Sequence, residues 1–117
     1  MNMSTQEPEP GLDRQIALLR VDGDVELLKE IAIIFLEDYP KVLAEIRATI
    51  ADGDAKQLEA SAHTLKGSVA NFGAAAVVAS ALQLELMGRA ALLERSSEVL
   101  RALEAGLCAL HAELEAL

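Results

Sequence analysis

The chain has 117 residues, 52% of them apolar and 3% aromatic, with a formal net charge of −9 at pH 7. Its length suits one domain with one core, and scarce aromatics beside abundant Leu, Ala and Glu favour packed helices over a sheet. The acidic balance excludes nucleic acid and anionic membrane surfaces as partners, because both reward clustered Lys and Arg. One cysteine, Cys108, leaves no internal disulfide framework and suits the cytoplasm. No apolar run approaches the ~18 residues of a membrane span.

Residues 1–11 are polar and proline-bearing, and are expected to be a disordered leader ahead of a domain over residues 12–117. Asp13 is placed to cap a short helix carrying Ile16 and Leu19, which runs out near Asp22-Gly23. A second helix starts close to Asp24. Its apolar positions Leu28, Ile31 and Phe35 continue as Val42, Ile46 and Ile50 beyond Pro40, where a kink or break is expected. Asp52-Gly53-Asp54 reads as a stop followed by a new N-cap. The third helix then spans about Asp54 to Ala70, and Asn71-Phe72-Gly73 interrupts it. A fourth covers roughly Ala74 to Met87, with Gly88 as its C-terminal signal. The last starts near Leu92 and carries Leu100, Leu103, Leu107, Leu110, Leu114 and Leu117 at steps of three and four. The fold expected is all-α, an antiparallel four-helix bundle with a short additional N-terminal helix.

Chemistry concentrates on the third helix. Leu58, Ala62, Leu65 and Val69 form its core stripe. His63 precedes Leu65 by two positions, about 200° away at ~100° per residue, so it points outward. Lys66 and Gly67 share its face at i+3 and i+4, with Ala60 and Ala70 close by. A neutral imidazole nitrogen is a competent nucleophile near pH 7. A phosphoryl group on it would bring roughly two negative charges, which Lys66 would partly neutralise. Gly67 would leave room for another protein's active site, a use that answers its helix-interior cost of up to ~1 kcal/mol.

Ala62-His63-Thr64-Leu65-Lys66-Gly67-Ser68, followed by Asn71-Phe72-Gly73-Ala74, resembles the signature of histidine-containing phosphotransfer (HPt) domains. The resemblance runs from about Leu12 to the C-terminus and takes in Gly23-Asp24 and Leu84-Glu85. It implies that His63 is phosphorylated through its outer ring nitrogen, that Lys66 holds the phosphoryl oxygens and that Gly67 admits the partner. Relatives often carry Gln or Glu 22 positions after the histidine, here Glu85. That residue is either a carboxylate orienting the inner ring nitrogen or an ordinary surface group. Arg89, one turn on, is either an aid to phosphate binding or a plain helix-end cation. Ser68, Ala70, Arg89 and Ile16 join Gly67 as candidates for the docking face, with Ile16 or Leu19 a core residue in the other reading.

The function this implies is a monomeric phosphorelay carrier. It would take a phosphoryl group from a receiver domain's aspartyl phosphate and pass it to another receiver's aspartate. Its partners would be receiver domains of response regulators or a hybrid histidine kinase. The alternatives are a phosphotransfer domain of a chemotaxis-type or hybrid kinase, and a helical adaptor that is not phosphorylated. No cofactor is expected on this chain, the Mg²⁺ belonging to the receiver. No Walker or glycine-rich nucleotide motif and no Glu-x-x-His di-iron motif is present, so neither ATP binding nor self-phosphorylation is expected. Cys108 and His111 stand i, i+3 without further ligands and read as a core-edge thiol beside a surface histidine, not a metal site.

Overall fold

The computed structural model describes residues 11–117. Five helices follow in order: α1 (Arg14–Arg20), α2 (Val25–Asp52), α3 (Ala55–Ala70), α4 (Ala75–Ala90) and α5 (Ser96–Glu115), with no strand among the described residues. The body of the expected leader lies outside the described residues. Gly11 at its end is buried, and the Leu12 N–H donates to the Glu113 carboxylate of α5 at 2.9 Å.

Three aspartates start three helices. Asp13, Asp24 and Asp54 each accept a hydrogen bond from the N–H three residues on, at 3.1–3.2 Å, satisfying a donor that the first turn leaves free. Gly53 ends α2 in the left-handed region at φ +71°, where a side chain would be strained.

Pro40 does not break α2, which runs unbroken from Val25 to Asp52. Leu28, Ala32 and Phe35 before it and Leu43 and Ile46 after it are buried in the same core. Burial on both sides offsets the lost N–H, about 3 kcal/mol in a helix interior, and Pro40 itself faces solvent.

Helix pairs α2–α3, α3–α4, α4–α5 and α2–α5 pack on one another and close a four-membered ring, with α3–α4 the most extensive pairing. Side-chain bonds from residue 59 to 89 and from 63 to 85 show that α3 and α4 run antiparallel. Leu58, Ala62, Leu65 and Val69 of α3 meet Val77, Ala81 and Leu84 of α4 and Leu103, Leu107, Leu110 and Leu114 of α5 in a single core. On α1 the core positions are Ala17 and Val21, while Ile16 and Leu19 are exposed, Leu19 strongly.

Two boundaries differ from expectation. Helix α4 passes through Gly88 and ends only at Ala90, with its cap Ala91 left-handed at φ +57°. Gly88 is a contact glycine: a Cβ there would lie 2.6 Å from the Glu59 nitrogen and 2.7 Å from the Ala55 oxygen. The backbones of α3 and α4 touch at this point, which only glycine permits. Helix α5 begins at Ser96, not Leu92, because Leu93 closes a turn whose carbonyl accepts from both the N–H and the hydroxyl of Ser96.

Candidate functional site

His63 occupies the outer face of α3 because Ala62 and Leu65 on either side of it are fully buried. Its side chain is 68% exposed. Glu85, across the helix pair, is the opposite: its side chain is only 5% exposed. The glycine contact at Gly88, one turn further along α4, brings the helices close enough for the two to meet.

The Glu85 carboxylate is a hub. Its Oε2 lies 3.1 Å from His63 Nδ1 and 3.0 Å from Arg89 Nη2, and its Oε1 lies 2.7 Å from Lys66 Nζ. The Lys66 contact is an ion pair by distance, with Oε1 meeting no donor at hydrogen-bonding angles. Lys66 interaction chiefly, aided by His63, holds Glu85 below its ordinary carboxylate range, against the opposing push of burial. Ionised, Glu85 can only accept. In the neutral imidazole Nδ1 then carries the proton, and the Nε2 lone pair is left available.

Arg89 also reaches back to α3, where its Nε donates to Glu59 Oε2 at 2.8 Å. Lys56, Glu59, Ala60, Thr64 and Arg89 line an open groove of about 550 Å³ around His63 and Glu85. The Thr64 and Ser68 hydroxyls fold back onto the α3 carbonyls of Ala60 and Thr64. Gly67 is exposed, and a Cβ there would meet nothing within 4 Å.

The candidates on α3 and α4 thus split into two sets. His63, Lys66, Glu85 and Arg89 are drawn together by direct contacts. Ser68 and Ala70 are half-buried beyond Gly67, and Ile16 is exposed on α1. Helix α1 is fastened to the α3–α4 turn by the Asp13 N–H, which donates to the Phe72 carbonyl at 2.9 Å. Glu59 and Lys56 are additional members of the site. Glu59 sits one turn before His63, but only the crossing of two helices sets it beside Arg89.

The Cys108–His111 pair departs from expectation. Cys108 is exposed, whereas His111 is half-buried with Nδ1 2.7 Å from the Tyr39 hydroxyl. Tyr39 on one ring nitrogen and the Glu115 carboxylate, 3.3 Å from Nε2, hold this histidine at the bundle edge. No group of three or more His, Cys, Asp or Glu suited to a metal ion occurs among the described residues. No helix among them is long and apolar enough to cross a membrane.

The profile of the Hpt domain matches residues 30–117, from the first turns of α2 to the end of α5. The chain belongs to the Hpt domain family. As such it is a histidine phosphotransfer carrier of two-component signalling. Its bundle is also similar to the crystal structure of histidine-containing phosphotransfer protein B (HptB) from Pseudomonas aeruginosa PAO1. The two share 23% identity over 91% of this chain and 92% of that one, with a TM-score of 0.83, a likeness of fold. No curated protein matches the chain. Helix α1 and the start of α2 precede the part that the Hpt profile covers, and they complete the bundle around it.

Proposed function

We propose that His63 Nε2 accepts a phosphoryl group from the aspartyl phosphate of one receiver domain and delivers it to the aspartate of another. The observation that carries this reading is the pairing of an exposed imidazole with a buried, ionised carboxylate on its Nδ1. In the forward step the Nε2 lone pair attacks phosphorus. The Nε2–P bond forms as the P–O bond to the receiver aspartate breaks, and the electron pair leaves with the carboxylate. The Nδ1 proton stays in place, and Glu85 stabilises the positive charge that develops on the ring. Return of the phosphoryl group to a second aspartate reverses each change.

Lys66 supplies a cation on the same face. Two unit charges 4 Å apart interact by about 4 kcal/mol at an effective dielectric of 20, enough to matter for a phosphoryl dianion. Gly67 and the exposed α3 face give the receiver's acidic pocket, with its own Mg²⁺, room to close over the histidine. Exposed Ile16 on α1 adds an apolar edge to that docking face, and the carrier acts as a cytoplasmic monomer.

The test is transfer from a radiolabelled receiver domain. Wild type takes up label that is lost in acid and kept in alkali, and His63→Gln takes up none. Equal labelling of the two proteins, or none on wild type from its cognate receivers, refutes the proposal. Labelling of wild type only by a kinase domain with ATP would favour the kinase-borne alternative.

A further inference from the structure

Arg89 stands beside the histidine yet is tied to two carboxylates. Its Nε donates to Glu59 Oε2 at 2.8 Å and its Nη2 to Glu85 Oε2 at 3.0 Å. Glu85 is needed where it is, because it also meets Nδ1 of His63 and Nζ of Lys66. Glu59 has no such task. Its carboxylate makes no hydrogen bond or ion pair with His63 or Lys66 among the described residues, and its one bonded partner there is Arg89.

The tether is built in by the backbone. Gly88, the residue before Arg89, lies against the Glu59 nitrogen so closely that a Cβ would come within 2.6 Å. The two side chains therefore leave their helices from a fixed, touching pair of positions. Most surface ion pairs lose much of their value to side-chain freedom, and a fixed pair of origins limits that loss. Arg89 nevertheless remains 58% exposed, on the rim of the groove that holds His63.

Resting on the carrier reading, we infer that Glu59 is a positioning residue that withholds Arg89 from the phosphoryl group. A phosphoryl dianion on Nε2 attracts every cation in the groove. Lys56 on the groove wall and Lys66 on the His63 face are cations already at hand, and Arg89 would be a further one, with a planar fork suited to phosphate oxygens. Bound to Glu59, the guanidinium is held on the carboxylate side of the site and its charge is already matched. The phosphohistidine is then stabilised by one cation fewer. For a carrier this is useful, because a phosphoryl group clamped by the guanidinium as well leaves less readily to the next aspartate.

The experiment measures the lifetime of the phosphohistidine with no receiver present. Phosphoramidate serves as donor: Nε2 attacks its phosphorus, the N–P bond of the reagent breaks and ammonia leaves. After the reagent is removed, water attacks phosphorus, the Nε2–P bond breaks with its electron pair returning to Nε2, and inorganic phosphate is released. Glu59→Gln should lengthen the half-life about threefold, the scale of a single partly exposed charge pair. Glu59→Asp, which keeps the charge, should stay at the wild-type value. In an Arg89→Gln background, Glu59→Gln should have no further effect.

That last comparison separates tethering from simple repulsion, since repulsion between Glu59 and the phosphoryl group would persist without Arg89. An unchanged half-life in Glu59→Gln overturns the inference. So does an equal effect in both backgrounds, or Glu59→Asp behaving as Glu59→Gln. A wild type that phosphoramidate leaves unlabelled at His63 overturns the carrier reading as well, whereas a labelled wild type with an unresponsive Glu59→Gln overturns this inference alone. Circular dichroism of each variant, expected to match wild type, confirms that the bundle is intact.

Discussion

Replacing Gly88 with alanine tests how the fold builds the site. The added Cβ would sit 2.6 Å from the Glu59 nitrogen and 2.7 Å from the Ala55 oxygen, both backbone atoms that cannot turn aside. Ordinary contacts of a Cβ begin near 3.4 Å, so α3 and α4 must separate locally by something under 1 Å. Overpacking of this kind costs about 1–3 kcal/mol, and alanine's better helix propensity returns up to ~1 kcal/mol. The net loss is then about 1–2 kcal/mol, which for a domain of this size lowers Tm by roughly 4–8 °C. The bonds that bridge the helices, 3.1 Å from His63 to Glu85 and 2.8 Å from Arg89 to Glu59, lengthen with the separation. Thermal unfolding followed by circular dichroism reads the stability, and the NMR signal of the His63 Nδ1 proton reads the bridge. A Gly88→Ala protein as stable as wild type, with that proton signal unchanged, would show that the helices do not touch there.

Further outcomes follow from the same contacts. Glu85→Gln leaves Lys66 and Arg89 without their shared charge and should slow phosphoryl uptake by about tenfold, the low end of effects seen when an orienting partner of a functional histidine is removed. Because the Glu85 carboxyl is held below its ordinary value of 4.5, its ionised form stabilises the fold above that pH. The stability difference between wild type and Glu85→Gln, followed by urea unfolding, should therefore be full above pH 4.5 and shrink as the pH falls below it. Gly67→Ala should raise stability by up to ~1 kcal/mol in the same assay, since its Cβ meets nothing and the helix gains propensity. Gly67→Trp should fold equally well but lose transfer from a phosphorylated receiver. Lys66→Ala should keep the wild-type circular dichroism spectrum while transferring more slowly, and an unfolded protein would contradict its place on the outer face.

Much of the architecture was legible because each element carries a local signal. The three capping aspartates, the glycine stop at Gly53 and the α3 stripe of Leu58, Ala62, Leu65 and Val69 all act within a few residues. The outward direction of His63 followed from the stripe alone. Local signals mislead where distant residues decide. Pro40 reads locally as a kink or break, and burial of Phe35 and Leu43 on one core keeps α2 continuous across it. Gly88 reads as a helix end, and only the α3 backbone opposite explains why it lies inside one. The turn before α5 contains neither Gly nor Pro, so nothing in Leu92–Arg95 announced it.

The site divides in the same way. His63, Lys66 and Gly67 lie within one turn of each other, so sequence spacing groups them. Glu85 was suggested by resemblance, but the depth of its burial and its triple engagement depend on the α3–α4 crossing. Glu59 carried no signal at all: its spacing from Arg89 matches no helical period. His111 reads from the sequence as a surface histidine, because its partner Tyr39 is on a helix far away in sequence.

The central claim is a covalent bond at one nitrogen of one residue. The most direct measurement is NMR of ¹⁵N-histidine-labelled protein after transfer from a phosphorylated receiver, reading phosphorus coupling to each ring nitrogen. Coupling is expected at Nε2 of His63, with Nδ1 still protonated beside Glu85. Coupling at Nδ1, at His111, or at no histidine while phosphate is nonetheless incorporated would contradict it.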